Sequence, residues 1–160
     1  MEYKDFDIDY IERTVKIIEQ YEILKHQINI NERFEVTLLT NSLLALIVFP
    51  KEKFYSVIPT DRIFTDLKKE MGIPNSFISE KYKTIRELII DLRHSIAHLN
   101  FDFESDHNTN EINKIIFRDD STETNPKIAE FIPSELANFI RYYSSWQIKN
   151  IQEYKKIKNN

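Results

Sequence analysis

The chain has 160 residues, 41% hydrophobic and 30% charged, which is the size and balance of one soluble globular domain with a real core. Its net charge of −4 excludes a general electrostatic grip on nucleic acid, so any RNA contact has to be local. The lack of cysteine excludes disulfides and thiolate metal sites, and one glycine with five prolines leaves little room for tight turns, so helices should dominate. The opening MEYKDFDIDY is acidic and has no apolar core, so no secretory signal is expected. The longest apolar run, Leu43 to Phe49, is too short to cross a bilayer. A cytoplasmic protein without a membrane partner is the expectation.

The first helix is expected from Asp7 or Asp9 to about Gln27, with Tyr10, Thr14, Ile17, Tyr21, Leu24 and Ile28 on one side. Asn29 and Asn31 break the pattern and predict a turn. A second helix, roughly Arg33 to Phe49, becomes apolar all round from Leu43 and ends at Pro50. Lys51 to Pro59 reads as a loop, with Phe54, Tyr55 and Val57 packed under it. A shorter helix follows, about Asp61 to Met71, and Gly72 ahead of Pro74 is its stop signal.

The next stretch organises the rest. Ile78, Tyr82, Ile85, Ile89, Leu92, Ile96 and Leu99 recur at alternating steps of four and three, the period of one buried helical face. This predicts a central helix from Ser79, placed as its cap, to His98. Its opposite face carries Glu87, Asp91, His94 and His98 at spacings of four, three and four. Arg86 and Arg93 flank that polar stripe. Charged stripes on helices are usually no more than solvated surface. Histidine alters the balance, because its ordinary pKa lies near neutrality and two of the protein's four sit one turn apart.

After His98 the period becomes alternating. Leu99–Glu104 and Glu111–Arg118, joined through SDHNTN, predict a β-hairpin, and DDSTETNP reads as a surface loop. The last helix is expected from Ser134, after Pro133, to about Tyr154, with Leu136, Phe139, Ile140, Tyr143 and Trp146 as its core face. The lysines at its end suit a helix C-terminus. Neither a repeat nor a linker interrupts the chain, so residues 1–160 are expected to form one domain. His26 reads as an exposed helix residue and His107 as a hairpin-turn residue, neither needing a function. Tyr142, Tyr143 and Trp146 could stack bases, though on an amphipathic helix aromatics are core far more often.

The run LRHSIAHLNF, with Arg93, a polar residue at 94 and then His98, resembles the Arg-x4-6-His signature of HEPN domains (higher eukaryotes and prokaryotes nucleotide-binding). The segments LLALIVFPKEKFYSVIP and INKIIFRDD are similar to a bacterial or plasmid-borne family of HEPN nucleases, so the resemblance covers most of the chain. It implies an all-α fold: a HEPN-like antiparallel bundle of about five helices, with the small hairpin inserted between the motif helix and the last one. It also implies a homodimer with the motifs facing one another.

The residues themselves suit RNA cleavage. RNA supplies its own nucleophile, the 2′-hydroxyl. Cleavage then needs a base, an acid for the leaving 5′-oxygen, and positive charge on the transition state. Histidine suits the proton transfers and arginine's planar fork suits phosphate oxygens. Carried from the family, Arg93 would bind the scissile phosphate, His98 would act in acid–base catalysis, and His94 would assist or orient. Arg86 and Asn100 are the expected substrate-binding residues. No metal and no cofactor is implied. Arg93 and His98 are five apart, which turns them by about 140° around the axis, and a second copy would complete the cleft. The expected activity is therefore a metal-independent endoribonuclease, a hydrolase with RNA as substrate. The resemblance implies a toxin–antitoxin or phage-defence setting, with an antitoxin protein as a further partner.

One departure stands out. Some HEPN toxins carry, two residues after the histidine, a tyrosine that a partner enzyme modifies, and here that position is Asn100. Two rival readings remain. One is a metal held by His94, His98 and Asp91 or Glu87, a weak signal without a metalloprotease glutamate. The other is a non-catalytic HEPN module that binds nucleotide, RNA or protein and uses the motif for dimerisation.

Overall fold

A computed structural model describes residues 3–48, 62–63, 65–106, 111–119, 121 and 123–158. The expected loop Lys51–Pro59 with Phe54, Tyr55 and Val57, the helix boundaries at Phe49 and Asp61, the stop at Pro50, and His107 lie outside the described residues. The chain forms two compact units, one from Met1–Val57 with Ile140–Asn160 and the other from Ile58–Phe139.

The first unit is helical. Helix α1 spans Phe6–Leu24 and buries Ile11, Thr14 and Ile18, a stripe at the helical period. Single 3₁₀ turns at Lys25–Gln27 and Ile30–Glu32 make the expected break around the asparagines. Helix α2, Glu35–Val48, buries Val36, Leu39, Leu43, Leu46 and Ile47. From Ile140 onward this unit also holds most of the last helix. There the Gln147 amide donates to the Leu46 carbonyl at 2.9 Å, Arg141 pairs with Glu22, and Lys155 pairs with Asp5.

The second unit is mixed, and it overturns the all-α expectation. After helix α3, Thr65–Glu70, come strand β1 (Phe77–Ile78), helix α4 (Ile85–Ala97), strands β2 (Phe101–Ser105), β3 (Ile112–Arg118) and β4 (Lys127–Phe131), and the start of helix α5 (Pro133–Lys158). The four strands form one antiparallel sheet in the order β1-β4-β3-β2. The expected hairpin is its β2–β3 edge, with Phe101 opposite Phe117 and Phe103 opposite Ile115. The hairpin is thus half of a sheet rather than an insertion in a bundle. What completes it is β4, whose Ile128, Ala129 and Phe131 are buried, entered between β1 and β3.

Helix α4 starts later than the apolar spacing predicts. Ile78 belongs to β1, and Ser79 is no cap, since its N–H donates to the Ile128 carbonyl at 2.9 Å. The true cap is Thr84. Its hydroxyl accepts from the Glu87 N–H, and the Glu87 carboxylate accepts from the Thr84 and Lys83 N–H groups at 2.9 and 2.7 Å. This reciprocal box uses Glu87 up as a helix-start residue. Hydrogen bonds from Lys83 and Thr84 hold its carboxyl below the ordinary range.

Helix α3 ends as Gly72 predicts, although one residue earlier than Met71. The Ile73 N–H returns to the Lys68 carbonyl and the Gly72 N–H to that of Lys69, both at 2.9 Å, with Gly72 at φ +71°. This six-to-one, five-to-two pairing is a Schellman stop. A Cβ added at Gly72 would stand 2.8 Å from the Asn138 Cβ, an atom close to the backbone. Gly72→Ala should therefore cost about 2–3 kcal/mol, from left-handed backbone strain plus the clash. A urea midpoint equal to that of the parent protein would contradict this.

Candidate active site

Helix α4 is held by the apolar side of the same residues that carry the motif. Ile85, Leu88, Ile89, Leu92 and Ile96 are all buried. That leaves His94 and His98 exposed on the other side. Their rings stack, with centroids 4.4 Å apart and planes inclined at 27°. The four-residue spacing puts one imidazole above the other, so the helix itself produces the pair.

Arg93 precedes His94 and lies about 100° round the axis from it. It is half-buried, and its Nε is fully covered with no hydrogen-bond partner among the described residues. A buried guanidinium nitrogen without an acceptor is a costly arrangement. Arg86 sits on the same flank in the first turn, about 11 Å from Arg93 along the axis. It is partly exposed there.

Beside His94 lies a shallow pocket of about 160 Å³ lined by Asp91, His94, Asp119 and Ser121. Its floor is a bonded chain of side chains. The Tyr82 hydroxyl donates to Asp91 at 2.7 Å, and the Lys81 ammonium bridges Asp91 at 3.3 Å and Asp119 at 3.0 Å. Ser121 donates to the other oxygen of Asp119 through its N–H, at 3.0 Å, and its hydroxyl. The Ser121 hydroxyl and Lys81 hold the Asp119 carboxyl below its ordinary range against the opposing effect of burial. The hydrogen bond that Lys81 donates to Asp119 in turn raises Lys81, and burial followed by Asp91 raises the Tyr82 phenol. Asp91 is thus tied to Tyr82 and Lys81. Among the described residues no three His, Asp or Glu side chains converge as metal ligands.

His98 is the C-cap of α4, and the chain turns directly after it. The Asn100 N–H returns to the Ser95 carbonyl at 2.8 Å and the Leu99 N–H to that of Ile96 at 3.1 Å. This is the same stop as at Gly72, yet the left-handed position is a leucine, Leu99, at φ +56°. Leucine in that conformation costs roughly 1–2 kcal/mol, and Leu99 offsets little of it by burial, being 78% exposed.

Asn100 lies inward. Its side-chain amide donates to the Arg118 carbonyl at 3.1 Å and to the Asn125 Oδ1 at 2.9 Å. Both of its amide hydrogens are therefore engaged within the fold. Its carbonyl accepts from the Ser95 hydroxyl at 2.7 Å and from the Arg118 N–H at 3.0 Å.

Of the expected site residues, the structure brings His94 and His98 into contact, places Arg93 on another side of the same helix end, and leaves Arg86 two turns away. Lys81, Asp119, Ser121 and Asn125 around them carry no sequence signal, because each meets the helix through a loop.

Residues 1–154 match the model of a protein family described as HEPN pEK499 p136. Neither a curated protein nor a solved structure matches the chain.

Proposed function

The chain belongs to the HEPN pEK499 p136 family, and from that premise we propose that it is a metal-independent endoribonuclease. The observation that carries the proposal is the exposed, stacked His94–His98 pair at the end of α4, on the helix that also carries the half-buried Arg93. One imidazole takes the proton of the 2′-hydroxyl, whose oxygen attacks the adjacent phosphorus. The bond from phosphorus to the 5′-oxygen breaks, and an imidazolium donates a proton to that oxygen. The products are a 2′,3′-cyclic phosphate and a free 5′-hydroxyl. Arg93 neutralises the phosphate oxygens as charge builds on them. His98 is assigned the proton transfer and His94 the orienting role. Arg86, farther along the same flank, would meet the RNA strand away from the scissile bond.

Arg93 and His98 point to different sides of one helix, so the site is proposed to be composite. Two copies related by a two-fold axis would bring an arginine from one chain to a histidine of the other. The experiment is cleavage of single-stranded RNA in excess EDTA. Cleavage should persist and leave 2′,3′-cyclic phosphate ends. Activity lost on chelation and restored by a divalent ion would overturn metal independence. Binding of RNA with no cleavage in either condition would leave a binding module in place of the nuclease.

A further inference from the structure

We propose that Asn100 is a positioning residue for His98, acting through the strained turn at Leu99 rather than by touching RNA. The proposal rests on the nuclease reading for its effect on rate, but not for its structural part.

The described chain builds the same helix stop twice. At the end of α3 the left-handed position is Gly72, the protein's single glycine, which adopts φ +71° without penalty. At the end of α4 it is Leu99, which does not. Something next to Leu99 must therefore impose the conformation, and the bonds of Asn100 do so from three sides. The Ser95 hydroxyl, on a residue buried within the motif itself, holds the Asn100 carbonyl from the helix. The Arg118 N–H holds the same carbonyl from the end of β3, and the Arg118 carbonyl accepts from the side chain. Asn125 takes the remaining amide hydrogen from the loop before β4.

Asn125 is itself at φ +42°. The only two non-glycine residues at positive φ among those described thus flank one Asn100–Asn125 hydrogen bond, two residues from His98. Strain gathered in one place persists only where its surroundings over-determine it. What this junction determines is the direction in which the chain leaves His98. With residue 100 pinned, His98 ends the helix with its ring on His94. With residue 100 released, Leu99 relaxes to an unstrained conformation and the last turn carrying His98 frays.

The test uses Asn100→Ala, Leu99→Gly and the double variant. Its two readouts are the nuclear Overhauser effect between the His94 and His98 rings, and kcat and KM on a short RNA. Asn100→Ala removes the side-chain bonds of the clamp, to Arg118 and Asn125, and keeps those to its backbone carbonyl. If the side chain sets the turn, the variant should lose the ring contact, lower kcat on the order of 10²-fold and leave KM within about twofold. Leu99→Gly alone should keep the ring contact. The double variant should regain both contact and kcat, because glycine holds the left-handed turn without the clamp. A double variant still impaired, with raised KM, would show that Asn100 touches substrate and would overturn the proposal. So would an Asn100→Ala protein whose ring contact is intact. Should Asn100→Ala not fold, Asn125→Ala removes only the Asn100–Asn125 contact, leaves the bonds to Ser95 and Arg118, and should give a smaller loss with the same rescue. If the parent protein cleaves no RNA, the nuclease reading falls, while the ring contact still decides whether Asn100 positions His98.

Discussion

His98→Ala is expected to lower RNA cleavage by about 10²- to 10⁴-fold, the usual worth of a positioned proton-transfer group. His98 is exposed at the end of α4, so the fold should be unchanged by circular dichroism. His94→Ala should cost less than His98→Ala, since it removes the ring on which His98 rests without removing the group that moves the proton. Arg93→Ala should abolish detectable cleavage, because phosphate binding and transition-state neutralisation go together. Arg93→Lys should recover little, as a point charge cannot reproduce a two-pronged contact. Arg93 is half-buried, so its variants need an unfolding curve beside the activity measurement. An His98→Ala protein that cleaves RNA at the parental rate would remove His98 from the mechanism.

The largest effect on stability is expected at Phe117. It is fully buried on β3, with ring centroids 6.1 Å from Phe101 and 6.0 Å from Phe131, and it precedes Arg118, which holds Asn100. Phe117→Ala should cost about 3–5 kcal/mol, lost burial plus a cavity that the sheet cannot close. That is a large share of the roughly 5–15 kcal/mol that holds a typical protein folded. Urea denaturation should show the loss in its midpoint. A cost under about 1 kcal/mol would mean that Phe117 is not the packing centre the structure makes it.

Much of this was legible in the residues, and the failures have physical causes. Helices α1, α2 and α4 announce themselves by apolar period, α3 by its terminal glycine, and β2–β3 by the change to alternation after His98. Strand β4 does not, because KIAEF is short, lies between Pro126 and Pro133, and is a strand only once β1 and β3 flank it. A two-residue β1 leaves no period at all. The start of α4 misled for a different reason: Ile78 and Tyr82 fall on the helical spacing while lying in strand β1 and in the segment that follows it, so spacing alone mimicked a helix.

In the site, the sequence could place His94 over His98, since that follows from a four-residue step. It could not reveal the Lys81 bridge to Asp119 or the clamp on Asn100, which join residues 38 and 25 positions apart. The turn at Leu99 was hidden too, because the usual sign of a left-handed position is glycine and here the position is a leucine.

The composite site is tested most directly by making one dimer from two inactive chains. Arg93→Ala and His98→Ala proteins, each given a different affinity tag and produced together, can be purified as the mixed dimer. Such a dimer holds one intact arginine and one intact histidine on opposite chains. It should cleave RNA while each parent homodimer does not. A mixed dimer as inactive as its parents would contradict a site shared between two copies of this chain.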